Sequence, residues 1–203
     1  MEEQKPAAAG RAQQPAQQQA GQTTEKGENR RLALSCFDWM SSLITALLVV
    51  AFVFVFLFRI VGVSGQSMTN TLQNGDRLIM ISRFYTIERG DIVVINRRSG
   101  EPLIKRVIAV AGDTIAFNDE TGKITLNGVE QDEPYVRRSH TGSFGFETPY
   151  TVPEGYIFAM GDNRDESKDS RMLGPFAVRD IAGVAVFRLF PLSEFGRIGH
   201  EGE

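Results

Sequence analysis

The chain has 203 residues, which at ~150 residues per domain allows one domain with an appendage. Its 22 basic and 25 acidic residues give a net charge of −3, without the basic excess of a nucleic-acid-binding protein, so we expect no nucleic-acid partner. A single Cys excludes an intrachain disulfide framework and a multi-Cys metal site, and two His (His140 and His200) disfavour a Ser-His-Asp enzyme, so nucleophilic catalysis would use another base.

The N-terminal segment is rich in Gln, Ala, Gly and Pro and contains no aromatic residue before Phe37. A segment of this composition cannot bury enough apolar surface to offset the entropy that it loses on ordering. Residues 1–37 are therefore predicted to form a disordered cytoplasmic tail.

An uncharged run follows, WMSSLITALLVVAFVFVFLF, from Trp39 to Phe58. At 1.5 Å per residue, about 20 helical residues span roughly 30 Å, the thickness of the hydrocarbon core of a bilayer. The alternatives are a buried helix of a soluble protein and a cleaved signal peptide, but the run is long, begins late and lacks an obvious A-x-A site after it. Residues 38–59 are therefore predicted to be a retained transmembrane anchor.

The basic residues beside this run predict its orientation. Lys26, Arg30 and Arg31 precede the run closely, whereas Arg59 is the only basic residue immediately after it. By the positive-inside rule, the N terminus is cytoplasmic and residues 60–203 are extracytoplasmic, in a single-pass protein of the cell membrane.

Beyond residue 60, short apolar or alternating runs are separated by Gly and Asp turn signals. No long amphipathic helix pattern occurs there, so we predict a mostly β domain, either a sandwich or a partial barrel. The predicted strands are RLIMIS, DIVVIN, LIKRVIAVA, DTIAFN, KITLNG, YIFAMG and IAGVAVFRLF.

Three polar segments interrupt this β pattern, and the first is SGQSMTNTL, residues 64–72. A solvated loop without a chemical role is the simplest interpretation of such a segment. A turn that contains Gly could nevertheless expose the Ser67 hydroxyl and direct nearby backbone N–H groups at one point, which is the geometry of an oxyanion site.

The second segment is LIKRVIAV, in which two cations lie inside an apolar strand. Strand alternation puts Lys105 on one face with Leu103 and Val107, and Arg106 on the other face. Because both faces are apolar, both cations are predicted to enter the interior. Arg106 must then find a carboxylate, whereas desolvation and the adjacent cation would lower the pKa of Lys105 and make it a general base. The alternative is a Lys105 side chain that reaches the surface.

The third segment is GDNRDESKDSR, residues 161–171, which follows the apolar YIFAM. A solvated loop is the simplest interpretation of any charged run. Here the Asp and Arg residues interleave, which indicates an ion-paired loop. A calcium site is a weaker alternative, because the acidic residues do not follow EF-hand spacing.

Together and in this order, SGQSM, GDIVVI, KRVIAVAGD and GDNRDESKDSR resemble the conserved boxes of bacterial type I signal peptidases, which are membrane-bound serine proteases with a Ser/Lys dyad. The resemblance runs from about Phe58 to Phe190, and the single N-terminal span resembles the enzymes of Gram-positive bacteria. It implies a signal-peptidase-like catalytic domain that cleaves signal peptides from exported preproteins and needs no cofactor or metal.

The resemblance assigns chemical roles to three residues. It implies that Ser67 is the acylating nucleophile, that Lys105 is its base, and that the Ser167 hydroxyl orients the lysine amine. The backbone N–H of Ser67 would donate to the oxyanion. Four further residues match those that hold the last box against the core: Arg106, Asp162, Asp169 and Arg171.

The resemblance also implies a substrate with small side chains at positions −1 and −3, bound as an added β-strand. The pocket walls would be formed by Val63, Met68, Leu72 and Ile104, for which filling the core is the alternative. The implied partners are preprotein signal peptides and the lipid bilayer, with the secretion translocon as a further candidate.

Two positions depart from the family pattern. Asn70 stands where Pro is common, which would loosen the turn after the nucleophile. Gly65 stands where some relatives have a Ser, so a second oxyanion donor would be a backbone amide or water, or would be absent. The alternative functions are a related Ser/Lys protease that processes pilin-type precursors and a non-catalytic, membrane-tethered β-domain that binds peptides.

Overall fold

The computed structural model describes residues 16–98, 100–118, 121, 123–136, 145 and 147–199. The chain divides into two compact units, residues 1–53 and residues 54–203. The described part of the first unit is helical and belongs to helix α1, Ala16–Leu57.

Helix α1 differs from the sequence expectation in its N-terminal part. Residues 16–37 are helical, whereas their composition predicted a disordered tail; residues 1–15 of that tail lie outside the described residues. Ala, Gln, Glu, Arg and Leu recur in this stretch and favour the helix. The stretch also continues into the apolar run without a Pro, so that helix can propagate backwards without a new nucleation step.

The C-terminal part of α1 is apolar. Within the described residues, one helix, Phe37–Leu57, is long and apolar enough to cross a membrane, and its large apolar side chains are mostly exposed. The predicted anchor extended to residue 59, but the helix ends at Leu57. It ends there because Phe58 begins a strand and pairs with Ile81.

The second unit consists mainly of strands, and each of the seven predicted strands is present. Among the described residues, five further strands were not predicted: β1, β7, β8, β10 and β12. Of these, all except β1 have only two residues. The strands are β1 Phe58–Gly62, β2 Arg77–Ile81, β3 Ile92–Ile95, β4 Leu103–Val110, β5 Thr114–Asn118, β6 Lys123–Leu126, β7 Val129–Glu130, β8 Tyr150–Thr151, β9 Tyr156–Met160, β10 Phe176–Ala177, β11 Ile181–Phe190 and β12 Gly196–Arg197. A four-residue helix, α2, covers Ser170–Leu173.

The strands form two antiparallel sheets. The first has the order β1-β2-β11-β3-β4-β9-β10, with β12 paired to β11, and the second has the order β7-β6-β5-β8. Among the described strands, β1 and β10 end the first sheet without pairing to each other, so this sheet is open. The predicted mostly β architecture is confirmed, and the open sheet fits a partial barrel.

Strand β4 lies inside the first sheet and separates two apolar clusters. Leu103 and Val107 pack in one cluster, whereas Ile104 packs in another with Met68 and Leu72. Leu103 and Val107 therefore share one cluster and Ile104 lies in another, as predicted, whereas Ile108 packs in a third cluster beyond the register shift between Val107 and Ala109. The two cations between these apolar residues are both carried into the interior.

Candidate active site

The loop between β1 and β2, residues 63–76, carries Ser67 and is called the Ser67 loop below. Two backbone hydrogen bonds close its base, from Val63 N–H to Asp76 O (2.9 Å) and from Gly75 N–H to Val63 O (3.0 Å). Gly65 has φ +90°, a conformation that suits glycine because it has no Cβ. This turn leads the chain to Ser67, which is half-buried.

Lys105 reaches the Ser67 loop from β4. Its Nζ lies 2.6 Å from Ser67 Oγ and donates a hydrogen bond to Ile104 O at 3.0 Å. The residue is 2% exposed, so the alternative of a lysine that reaches the surface is wrong. Its two hydrogen-bonding neighbours are uncharged oxygens.

Burial is the main influence on the protonation of Lys105, and it lowers the pKa of this amine to about 8. The carboxylates of Asp169 and Asp162 oppose this shift, and the positive charge of Arg171 reinforces it. At mildly alkaline pH a large fraction of the amine is therefore neutral. A neutral amine next to a hydroxyl can accept its proton.

Arg106, the next residue of β4, is also 2% exposed but has a different environment. Its Nε and Nη2 donate to the two carboxylate oxygens of Asp162 at 2.9 and 2.8 Å. Its Nη1 donates to Gly90 O at 3.1 Å, and its guanidinium lies 4.0 Å from the centre of the Tyr135 ring. The prediction that Arg106 must find a carboxylate is confirmed.

Asp169 and Arg171 form the second buried ion pair of residues 161–171. Arg171 Nε and Nη2 each donate to an Asp169 oxygen at 2.9 Å, and Nη2 also donates to Arg164 O at 2.7 Å. Burial acts to raise the pKa of Asp169, but the hydrogen bonds and charge of Arg171 outweigh it and hold that pKa below its ordinary value. Asp169 also accepts from the N–H of Gly161 at 3.0 Å, so the pair fixes both ends of the segment.

Ser167 lies in the same buried region as this ion pair. Among the described residues its Oγ has no partner in hydrogen-bond geometry, although it lies close enough to help lower the pKa of Asp169. A Cβ on Gly161 would lie 2.4 Å from Ser167 Oγ and 2.4 Å from Ser67 O. Glycine at position 161 is therefore what allows the two serine segments to approach each other.

Comparison with known proteins identifies the family. The family model for signal peptidase, peptidase S26, matches residues 36–190. The chain belongs to this family. A signal peptidase I of Bacillus licheniformis is 36% identical over 187 residues, which cover 85% of this chain and 97% of that protein. The signal peptidase IB of Staphylococcus aureus (strain Mu50 / ATCC 700699) is 32% identical over 176 residues, 78% of this chain and 91% of that protein.

A crystal structure of a signal peptidase I from Enterococcus faecalis V583 is also similar, with a TM-score of 0.43 and 29% identity over 50% of this chain and 98% of that chain. The family membership rests on the family model and on the two sequence relatives. It makes this chain a serine endopeptidase, a hydrolase of peptide bonds.

The backbone conformation of Asn70 differs from the one expected. Its φ is +99°, which proline, fixed near −65°, cannot adopt. Asn tolerates positive φ better than most residues. The turn after the nucleophile therefore has a backbone conformation that a proline at position 70 could not form. The expectation that Asn70 only loosens the usual turn is corrected.

The four residues expected to line the substrate pockets lie together. They belong to one buried apolar cluster beside Ser67 and Lys105: Val63, Met68, Leu72 and Ile104, which are 6%, 2%, 0% and 9% exposed. In this arrangement they fill a core. Ile104 is the most exposed of them, and its carbonyl contacts the lysine amine.

Several positioning residues were missed by the sequence analysis. The N–H of Asn163 donates to Ser67 O at 3.0 Å, and its Nδ2 donates to Gln66 O at 3.1 Å. Glu133, from the segment after β7, pairs with the fully buried side chain of Arg164. The GDNR motif drew attention to the segment that holds Asn163, but no local pattern pointed to Glu133.

No group of three or more His, Cys, Asp or Glu side chains that could hold a metal ion occurs among the described residues. His140 and His200 lie outside those residues.

Proposed function

We propose that this chain removes signal peptides from exported preproteins by an acyl-enzyme mechanism in which Ser67 is the nucleophile and Lys105 is the base. The single observation that carries the proposal is the 2.6 Å separation between Ser67 Oγ and the buried Nζ of Lys105. An activated serine needs a base within hydrogen-bonding reach and in its neutral form. Burial of Lys105 favours the neutral form, because it lowers the pKa of the amine to about 8.

The reaction has two stages, acylation and deacylation, and in each of them Lys105 accepts a proton and then gives it up. Ser67 Oγ attacks the scissile carbonyl carbon while its proton passes to Nζ of Lys105. Collapse of the tetrahedral intermediate breaks the C–N bond, and the lysine gives its proton to the leaving amine nitrogen. Water then attacks the acyl-enzyme, passing its proton to the lysine, and that proton returns to Ser67 Oγ as the acid product leaves.

The backbone N–H of Ser67 is the proposed oxyanion donor. Within the described residues, no hydrogen bond uses this N–H, so it is available to a substrate oxygen. The Gly65 N–H is already engaged, because it donates to Asn74 Oδ1 at 3.0 Å. The Ser167 hydroxyl, which lies next to Asp169 and Gly161, is the group proposed to orient the lysine amine.

The open edge of β4 supports binding of the substrate as an added strand. On one side β4 pairs with β3 over residues 103–106, whereas on the other side β9 pairs only from Arg106 onward. Among the described strands, none pairs with that second side at residues 103–105. An extended peptide bound there passes Lys105, and its small −1 and −3 side chains lie against the apolar cluster, whose most exposed member is Ile104. The proposed contact residues are Val63, Met68, Leu72 and Ile104.

The apolar helix Phe37–Leu57 serves as the membrane anchor in this proposal. The excess of basic residues before the span puts the N terminus in the cytoplasm and the catalytic unit outside. Signal peptides are themselves apolar, so a shared bilayer raises the effective concentration of enzyme and substrate. The bilayer and the secretion translocon are the proposed partners at this surface.

The full-length chain in proteoliposomes, incubated with a preprotein and separately with a pilin precursor, tests the proposal. We expect cleavage of the preprotein after small residues at −1 and −3, read by N-terminal sequencing of the product. Ser67→Ala should cleave neither precursor, whereas Ser64→Ala, at an exposed serine of the same loop, should cleave like the wild type. Cleavage of the pilin precursor alone, or cleavage by Ser67→Ala, would overturn the proposal.

A further inference from the structure

Arg188 is a buried arginine of β11 whose side chain points to the Ser67 loop. It is 8% exposed. Its Nη2 donates to the backbone oxygen of Thr71, and its Nε lies 3.4 Å from Oδ2 of Asp76. Its Nη1 contacts Glu194, a half-exposed residue of the turn after β11. One guanidinium therefore contacts the loop at two points, Thr71 in the second half and Asp76 at the base.

Asp76 is itself part of the closure of the loop. It is 4% exposed, and its Oδ2 accepts from the N–H of Gln73 at 3.0 Å. Its backbone oxygen accepts from Val63 N–H at the base of the loop. Arg188 therefore balances a buried carboxylate that fixes where the second half of the loop returns to β2.

Thr71 connects Arg188 with the dyad. Its hydroxyl donates to Oδ2 of Asp162 at 2.5 Å, and Asp162 is one of the two carboxylates that act on Lys105. The backbone N–H groups of Thr71 and Leu72 both donate to Met68 O, at 3.1 and 2.8 Å. Met68 directly follows Ser67, so a displacement of Thr71 moves the turn that begins at the nucleophile.

We propose that Arg188 is a positioning residue for the Ser67–Lys105 reaction: by holding Thr71 and Asp76, it fixes the turn after Ser67 and keeps Ser67 Oγ opposite the lysine amine. This inference rests on the proposed function. Asn163 holds the loop at Ser67 and Gln66, and Arg188 holds it on the far side of the turn. The nucleophile is thus held from two different parts of the chain.

Geometry explains why this contact matters for rate. Nucleophilic attack requires near-contact distances and alignment, and a displacement of about 1 Å can reduce the rate by about 100-fold. The turn after Ser67 contains Asn70 at φ +99°, where proline's restraint on the backbone is missing. The contacts of Arg188 with Thr71 and Asp76 restrain this turn, which contains no proline.

Single-turnover cleavage of a preprotein, with enzyme in saturating excess, tests the proposal on the full-length chain. Its rate constant does not depend on the fraction of enzyme that is folded, so a merely structural role would leave it unchanged. Arg188→Lys keeps the charge but not the fork of donors. We expect its single-turnover rate to fall by roughly 10- to 100-fold, with the half-saturating enzyme concentration changed by less than about threefold.

Arg89→Lys is the control, because Arg89 donates from two nitrogens to a buried carboxylate, Asp113, outside the site; its rate should equal that of the wild type. A second variant, Arg188→Ala, is tested with guanidinium chloride at millimolar concentration. A cavity of about 360 Å³, which Asn70, Thr71 and Arg188 help to line, gives that cation access. Partial recovery of the Arg188→Ala rate supports the proposal.

Two results separate this inference from the proposed function. If the wild-type chain cleaves the preprotein and Arg188→Lys has the same single-turnover rate, Arg188 only ties β11 to the loop, and the positioning role is overturned. If the wild type does not cleave the preprotein, the proposed function itself fails.

Discussion

Lys105 and Arg106 are consecutive residues of one strand, and each is 2% exposed, yet their surroundings differ in kind. Arg106 faces the carboxylate of Asp162 through two hydrogen bonds. Lys105 makes its hydrogen bonds with a hydroxyl and a backbone oxygen. Arginine cannot lose its proton in a protein, so it is buried as an ion pair, whereas lysine can be buried in its neutral form.

The two environments show how one strand supplies both rigidity and reactivity. The Arg106–Asp162 pair connects β4 with residues 161–171 and with Thr71 of the Ser67 loop. The carboxylates of Asp169 and Asp162 oppose the effect of burial on the pKa of Lys105 but do not cancel it. Substitutions at the two cations and a change of pH should therefore have different effects on cleavage and on stability.

Loss of cleavage in Lys105→Arg is the largest expected effect. Arginine keeps the positive charge but cannot act as a base at any accessible pH, so kcat/KM should fall by about 100- to 10,000-fold, as it should in Lys105→Ala. Preprotein cleavage rates measure this directly. Lys123→Arg, at an exposed lysine, is the control and should cleave normally. If Lys105→Arg retained a substantial fraction of wild-type activity, the neutral-lysine mechanism would be refuted.

Loss of stability in Asp162→Asn is next in size. The substitution leaves the Arg106 guanidinium buried without a compensating charge, which costs about 3–5 kcal/mol in buried pairs. Urea unfolding of the two proteins at neutral pH measures the difference. Asp165→Asn changes an exposed carboxylate of the same segment and should cost less than about 1 kcal/mol. Equal stabilities for the two variants would contradict the assignment of the Arg106 pair.

Replacement of Lys105 by Met should raise the stability of the folded chain, whereas Asp162→Asn lowers it. The pKa of Lys105 is about 8 in the folded chain, below the unfolded value of about 10.4, so the unfolded state binds more protons between these two values. The cost of burying Lys105 is therefore fully present below pH 8 and disappears as the pH rises through that window. Lys105→Met should unfold with a free energy higher by up to about 3 kcal/mol at neutral pH.

Urea unfolding at neutral pH and near pH 10 measures this difference, which should shrink at the higher pH. Lys123→Met serves as the control, because Lys123 is exposed, and its stability should differ little from that of the wild type. A Lys105→Met protein that is less stable at neutral pH, by more than the control, would mean that the lysine is buried as a paired charge after all.

The change of the cleavage rate with pH is the smallest of the expected effects. Because the neutral amine is the active form, kcat/KM should rise about tenfold per pH unit below the pKa of Lys105 and level off above it. That pKa is about 8, so the bend of the profile should lie near pH 8. Initial rates on a preprotein measured at several pH values between about 6 and 10 test this. A bend near the ordinary lysine value would show that Lys105 is not desolvated when it reacts.

Much of the fold follows from local patterns in the sequence. Alternation with period two and turn signals identified seven of the described strands, and the same alternation predicted that Lys105 and Arg106 start from opposite faces of β4. The strand β1 was missed because its first residues continue the apolar run of the anchor, so that no change of pattern marks Phe58. Strands of two residues, such as β10, are too short to produce a period.

The candidate site was only partly predictable for a different reason. Ser67, Lys105 and residues 161–171 were found through motifs, and the need of Arg106 for a carboxylate followed from its burial. The Ser167 hydroxyl has no hydrogen-bond partner among the described residues, so its expected contact with the lysine stays a prediction. The role of Gly161 depends on two segments that meet only in the folded chain, and the contact of Arg188 with Thr71 joins residues 117 positions apart.

The amino-acid sequence by itself determined the apolar helix, seven of the described strands and the identity of the two cations, because each of these depends on the spacing and type of neighbouring residues. The tertiary structure decided which carboxylate pairs with Arg106, Asp162, and which hydroxyl lies beside Lys105, Ser67. That choice depends on how β4, the Ser67 loop and residues 161–171 come together, since charges in a desolvated interior are governed by neighbours that are distant in the chain.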